Sequence, residues 1–424
     1  MNAASATGVG GASEDGNVEV RTSHEESLGE KWRNYRARLR SGDMGSVPAL
    51  IGLVLLVVLF SLLRPTFFTP LNFANFFTQA APVVIIAMAL VFVLLLGEID
   101  LSAGVTSGVS GALLAVLMAR NGFEWWQAGL VSMVAGLGIG LSIGFLVARV
   151  GIPSFIVTLA CFLAFQGLVL VIIGEGGNVR ITNPTILAIE NSNMALWAGW
   201  VLLAVLVIGF FLVSFYGRVR RMREGYAASS LSLILFKTAL VAIFGGITVY
   251  VLNLERSTNP GLISLRGVPY IVPILLLMLI VGTFVLSQTR FGRHIYAVGG
   301  NAEAARRAGI RVSQVRIAAF AICSSVAAFG GIVAASRAAS VDPNAGRFIV
   351  LNAVAAAVIG GTSLFGGRGR LIDAVIGGFV VAVIDNGMGL LGYSAGTKLM
   401  ITGSVLMLAA AADALSRKRR LVST

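Results

Sequence analysis

Between residues 48 and 414 the chain is a succession of apolar runs, most of them near the ~20 residues that cross the hydrocarbon core of a bilayer. No other feature restricts the fold so severely. In lipid every backbone polar group must be satisfied internally, so only helices and closed barrels can span. Runs of this length select helices. Candidate spans lie near 48–63, 79–97, 102–119, 127–148, 153–173, 195–216, 231–252, 269–287, 315–335, 350–362, 373–391 and 397–414. They predict an all-α polytopic membrane protein with about 12 transmembrane segments. The run at 350–362 is short for a crossing and is the candidate for a half-helix or re-entrant segment. Such backbone is tolerated only where protein surrounds it or where it lines a cavity. Small residues crowd many runs, as with Gly136, Gly138, Gly140 and Gly144 in the fourth, and close helix packing is their expected use.

Charge sets the orientation. Lys31, Arg33, Arg36, Arg38 and Arg40 precede the first span, and further basic groups fall at 218–223, 290–316 and 417–420. With twelve crossings all of these share one side, and the long connection 174–194, with only Arg180, lies on the other. The positive-inside bias therefore places both termini in the cytoplasm. The same distribution accounts for the net charge of +13 without nucleic acid, since no basic cluster forms a recognisable nucleic-acid module. Only 12% of residues are charged, half the share typical of soluble domains, at about a quarter. Cys161 and Cys323 sit inside apolar runs, and His24 and His294 lie near no cluster of ligand spacing, so neither disulfides nor a metal site is expected. Residues 1–47 form a tail whose polar first half is expected to be disordered and not a cleavable signal. Its Lys31–Arg40 patch either lies on anionic headgroups or simply fixes topology. Residues 415–424 form a short basic cytoplasmic tail.

The polar segments between spans carry what chemistry there is. Gly361 to Arg368 resembles a phosphate loop only superficially, because Gly367 stands where the lysine belongs and Arg368 where the Ser or Thr belongs. The chain is not expected to hydrolyse ATP, and no catalytic constellation is visible. In Gly97-Glu98-Ile99-Asp100-Leu101-Ser102-Ala103-Gly104, a carboxylate stands beside a span, where it is costly unless interfacial or functional. Asp100 or Ser102 is expected to cap the next helix, or else to line a polar path. Between two spans, Asn301 to Val312 reads as a short surface helix. Asn301 starts it, Ala304, Ala305 and Ala308 give it a slim face, and Gly309 ends it through a left-handed cap. Such a helix, carrying Glu303, Arg306, Arg307 and Arg311, suits docking on a cytoplasmic motor.

Four segments occur in order: G-E-I-D-L-S-A-G at 97–104, G-I-P-S-F-I-V-T-L at 151–159, F-G-R-H-I-Y-A-V-G-G-N-A-E-A-A-R-R-A-G-I at 291–310, and A-V-I-G-G-T-S-L-F-G-G-R-G at 357–369. Together they resemble the permease subunits of bacterial ribose/xylose-type sugar ABC transporters, over roughly residues 48 to 414. Glu98 and the ending I-D-N-G-M-G-L-L at 384–391 look most like the xylose-type members. The resemblance implies a ten-helix core in the inner membrane, to which about 195–262 adds a helix pair, with a cytoplasmic coupling loop at 288–314. It also implies a second permease copy, cytoplasmic ATP-binding subunits that hold the ATP, a periplasmic sugar-binding protein, and no cofactor on this chain. Asn301, Glu303, Ala304, Ala305, Arg306, Arg307 and Gly309 match the ATPase-contacting loop of such permeases. Asp100, Ser102, Phe155 and Thr158 are the candidates for the translocation path. The rival readings are an ion-coupled symporter using Asp100, Asp373 or Asp385, a branched-chain amino-acid permease, and a membrane receptor or scaffold.

Overall fold

The computed structural model describes residues 46–422 except 175, 176, 227, 229 and 258, so most of the 1–47 tail lies outside the described residues. Fifteen α-helices follow in order among the described residues: α1 (Val47–Leu63), α2 (Pro70–Leu94), α3 (Ala103–Ala119), α4 (Trp125–Phe145), α5 (Ser154–Ile173), α6 (Pro184–Asn191), α7 (Leu196–Arg223), α8 (Leu231–Asn253), α9 (Ile271–Gln288), α10 (Arg290–Gly300), α11 (Ala302–Arg307), α12 (Val312–Ala338), α13 (Ile349–Gly360), α14 (Leu371–Leu390) and α15 (Ala395–Val422). Eight of these are long and apolar enough to cross a membrane: α2, α4 with its extension to Val150, α5, α7, α8, α9, α12 and α14. The remaining four expected spans fall on shorter apolar helices, namely α1, α3, α13 and Ala395–Ala411 of α15.

The core gathers around α2, α12 and α14, where the second half of α2 from Ala80 to Leu95 is almost wholly buried. Close approach depends on small residues, as the sequence led us to expect. Along α4, a Cβ on Gly136 would overlap Ala328, one on Gly140 would reach 2.5 Å from the Phe320 carbonyl oxygen, and one on Gly144 would stand 2.8 Å from Ile317 Cα. These three glycines make one face of α4, which lies antiparallel on α12. Gly138 meets nothing within 4 Å and has no part in it. By contrast α7 and α8 pack mainly on each other and leave most of their surface exposed. They meet the core where Ala74 of α2 clusters with Val249, Leu252 and Val268.

The second span starts earlier than expected, at Pro70 instead of 79. Asn72, Asn75, Thr78 and Gln79 make this stretch read as a polar loop. The helix nevertheless forms, because Thr69 caps it, Pro70 occupies its first turn, and the amides find partners inside the bundle. Asn72 and Asn386 of α14 exchange two hydrogen bonds of 2.9 and 2.8 Å, and Asn386 also donates to Gln79 at 3.1 Å.

The short run at 350–362 forms α13, only twelve residues long and buried along much of its length. Its entry segment reaches deep. From the end of the bundle that carries α10 and α11, α12 runs 27 residues, ~40 Å at 1.5 Å per residue, to the other end. There β2 (Ser340–Val341) pairs antiparallel with β1 (Val179–Arg180). The chain then folds back until Gly346, with φ +83°, touches Gly104 in the first turn of α3, and Ala345 touches Gly108. Because α3 is entered from the end at which α12 starts, residues 97–102 and 342–348 approach each other from opposite ends of the bundle.

Candidate functional site

The four motifs, spread across more than 270 residues of sequence, meet at the end of the bundle that carries α10 and α11. Gly97 follows α2 with φ +73°, and its Cβ position lies 3.3 Å from the Phe365 carbonyl oxygen. The Gly367 amide donates to the Leu95 carbonyl at 2.8 Å. Gly299 of α10 presses against that same carbonyl so closely that a methyl group there would overlap it. Tyr296, one turn earlier on α10, donates its hydroxyl to the Gly369 carbonyl at 2.7 Å. The 151–159 motif joins from the other side, where Ser154 Oγ accepts from the Ile99 amide at 3.4 Å and Thr158 Oγ1 donates to the Ile99 carbonyl at 3.2 Å.

Asp100 and Ser102 are fully buried within this cluster, and so is Thr158. One carboxylate oxygen of Asp100 accepts both the amide and the hydroxyl of Ser102. The expected capping role is therefore displaced by one step. Asp100 fixes the residue before the helix, and the side chain of Ser102 makes no bond to the first turn of α3. The carboxylate of Asp100 is turned toward the amide and hydroxyl of Ser102 and toward the Ala103 amide beside them. Glu98, on the cytoplasmic side of Asp100, pairs with Arg316 of α12 at 3.1 Å. Phe155 stands apart from this group: it is half-exposed on the outer surface of α5, beside Ile156.

The surface helix expected after Asn301 is α11. Asn301 Oδ1 accepts the Ala304 amide at 2.9 Å, filling one of the orphan donors of the first turn. At the other end Ile310 N–H reaches the Ala305 carbonyl and Gly309 N–H the Arg306 carbonyl, both at 3.0 Å, with Gly309 at φ +85°. That pairing is a Schellman cap, and it needs the left-handed residue that glycine supplies. Glu303 pairs within the helix with Arg306 at 3.2 Å and Arg307 at 3.3 Å. Ala304 and Ala308 face solvent, whereas Ala305 is buried against the chain's own body. The slim outer face consequently consists of Ala304 and Ala308 with Glu303 and Arg307, and Ala305 anchors the helix from beneath.

A rigid path follows from this geometry. The loop holding α11 continues directly from α10, whose Gly299 and Tyr296 bear on both glycine-rich turns. Through these contacts α10 and α11 are joined to both turns and, by way of Ile99, to the buried Asp100 cluster. Residues 72–410 match the family model described as the branched-chain amino acid transport system / permease component. The chain belongs to this permease family. It is 36% identical over 348 residues to the xylose transport system permease protein XylH of Escherichia coli (strain K12), covering 82% of this chain and 86% of the relative. The xylose permease XylH of Haemophilus influenzae is 33% identical over 383 residues, covering 90% and 99%. The ribose import permease RbsC of Escherichia coli (strain K12) is 30% identical over 370 residues, covering 86% and 92%. No solved structure matches. Permeases of this family are multi-pass inner-membrane proteins, in accord with the long apolar helices described above.

Several members of the site carry no local signal in the sequence. Tyr296, Arg316 and the Leu95 carbonyl each act through a partner far along the chain. Only the clustering of glycines at 97, 299 and 366–367 hints that backbones approach one another there.

Proposed function

We propose that this chain is the membrane-spanning permease of an ATP-driven sugar importer, with xylose or a related pentose as its cargo. The convergence of all four motifs on one mechanical junction carries this reading, and the sugar assignment rests on the xylose and ribose relatives. A cytoplasmic ATP-binding subunit docks on α11 through Glu303, Ala304 and Arg307, with Asn301 and Gly309 holding the helix in shape and Arg306 bracing Glu303. Hydrolysis takes place on that subunit. Its closure pushes α11, α10 transmits the push to the turns at 95–97 and 365–369, and the Asp100–Ser102–Thr158 cluster opens to the path. A second copy of this chain completes the pore, a periplasmic protein delivers the sugar, and no cofactor is needed here. Of the three carboxylates of the ion-coupled alternative, Asp373 is held by Arg370 at 2.8 Å and Asp385 by Lys398 at 3.2 Å, while Asp100 is buried against Ser102 with no basic partner among the described residues.

The test is mild extraction from native membranes, identification of copurifying proteins and a nucleotide-hydrolysis assay. An ATPase bound in equal amount to this chain, and lost from the Glu303→Arg variant, is the expected result. A lone protein that takes up sugar on a proton gradient would refute the proposal.

A further inference from the structure

A cleft of about 460 Å³ opens where the cytoplasmic end of α4 meets the α11–α12 junction. Four arginines line it: Arg149, Arg306, Arg311 and Arg316. Arg306 and Arg316 are engaged by Glu303 and Glu98. Arg149 and Arg311 are exposed, and among the described residues their side chains have neither an acidic partner nor a hydrogen bond. The cleft therefore holds an excess of unmatched positive charge, presented by guanidinium groups whose forked donors fit phosphate oxygens.

The position of Arg149 says what kind of phosphate. It lies in the wide turn Leu146–Val150 that ends the α4 span. Leu137, Leu141 and Phe145 precede it at intervals of four residues, all exposed, and form an apolar stripe that climbs α4 and ends at Arg149. The glycine face of α4, about 100° around the helix from this stripe, is occupied by α12, and the stripe itself stays exposed. An apolar track leading to a basic pocket at the cytoplasmic interface has the shape of an anionic phospholipid, chains along the helix and headgroup in the pocket. We propose that this cleft seats the phosphate of an anionic phospholipid whose acyl chains lie along Leu137, Leu141 and Phe145. The cleft borders α11 through Arg306, but neither substituted arginine is one of the docking residues Glu303, Ala304 and Arg307 of the transport proposal, so the two can fail separately.

The full chain extracted in mild detergent, exchanged against phosphatidylglycerol and phosphatidylethanolamine, tests this by native mass spectrometry. The wild type is expected to retain phosphatidylglycerol. Arg149→Gln/Arg311→Gln should lose it several-fold while phosphatidylethanolamine retention stays the same. Leu141→Ser/Phe145→Ser, which leaves the arginines in place, should also weaken retention. Both pairs are exposed, and a monodisperse elution profile checks their folding. Equal phosphatidylglycerol retention by the arginine variant would overturn the proposal. So would retention that inorganic phosphate abolishes but the stripe variant leaves untouched, since that marks a site for soluble anions. If the arginine variant instead keeps its lipid and loses a copurifying ATPase, the cleft is a protein-docking surface and the lipid assignment fails.

Discussion

Glu190, in the short helix α6 on the outer side, is 4% exposed, and neither of its carboxylate oxygens meets a hydrogen-bond donor among the described residues. Burial pushes its carboxyl up to about 9, against a smaller pull downward from Arg337. The folded value therefore lies above the ordinary value of 4.5, and the folded protein holds a proton that the unfolded chain releases. Stability from this group is fully present below pH 4.5 and falls as pH rises toward about 9. Glu190→Gln keeps the shape and removes the titration. It is expected to raise stability at neutral pH by roughly 1–3 kcal/mol and to flatten the stability profile between pH 5 and 9. Thermal unfolding across that range checks it, and an unchanged slope would mean that the carboxylate is ionised and partnered. Glu255, in the outer loop after α8, behaves oppositely. It accepts from Ser264, Leu265, Ser257 and Arg256, which hold its carboxyl down to about 2. Its contribution is present above pH 4.5 and disappears only as pH falls through about 2, so the 255–266 loop should keep its hydrogen bonds at pH 4.

At the scale of elements, α10 and α11 connect an exposed docking face to the buried bundle, and two adjacent glycines separate their roles. A methyl group on Gly299 overlaps the Leu95 carbonyl and comes within 2.8 Å of the Gly367 amide, whereas one on Gly300 meets nothing within 4 Å. Gly299→Ala is expected to cost about 1–3 kcal/mol through overpacking and to reduce transport sharply. Gly300→Ala should be close to neutral, and sugar uptake with thermal unfolding of both variants makes the comparison. Removing the start of α11 with Asn301→Ala is expected to cost about 0.5–2 kcal/mol of local helix stability, read as faster amide exchange at residues 303–305. This is also the scale at which the sequence can be judged. The caps of α11 were legible because they are local: an asparagine, six residues of helix and a glycine. The short α13 was legible from length alone. The start of α2 was not, because its amides are satisfied by Asn386, more than 300 residues away. The displaced bond at Asp100 was hidden for a related reason, since Asp-x-Ser spacing fits a helix cap and a local turn equally well.

In the whole molecule, two broken segments meet beside α3 from opposite ends of the bundle: 97–102, which holds the buried Asp100, and 342–348. A path alternating between the two sides has to part the contacts made by Gly104 with Gly346 and by Gly108 with Ala345. The resemblance of the four motifs gave the family, but nothing in their spacing placed them together, because every hydrogen bond described among them has a backbone group on at least one side and leaves little trace in side-chain pattern. One native thiol reports on this region. Cys323 of α12 is fully buried and bonds with Asp100, while Cys161 of α5 is only half-buried. With Cys161 replaced by alanine, a maleimide reagent added to the assembled transporter in vesicles should label Cys323 slowly in the resting state. If the cluster lies on the sugar path, nucleotide together with the delivering protein should raise that rate several-fold, and the cargo sugar should protect against it. A rate that no combination of nucleotide and sugar changes would leave Asp100, Ser102 and Thr158 as a structural knot that only conveys the motion of α10. The exposed face of α5 that carries Phe155 would then be the remaining candidate for the path.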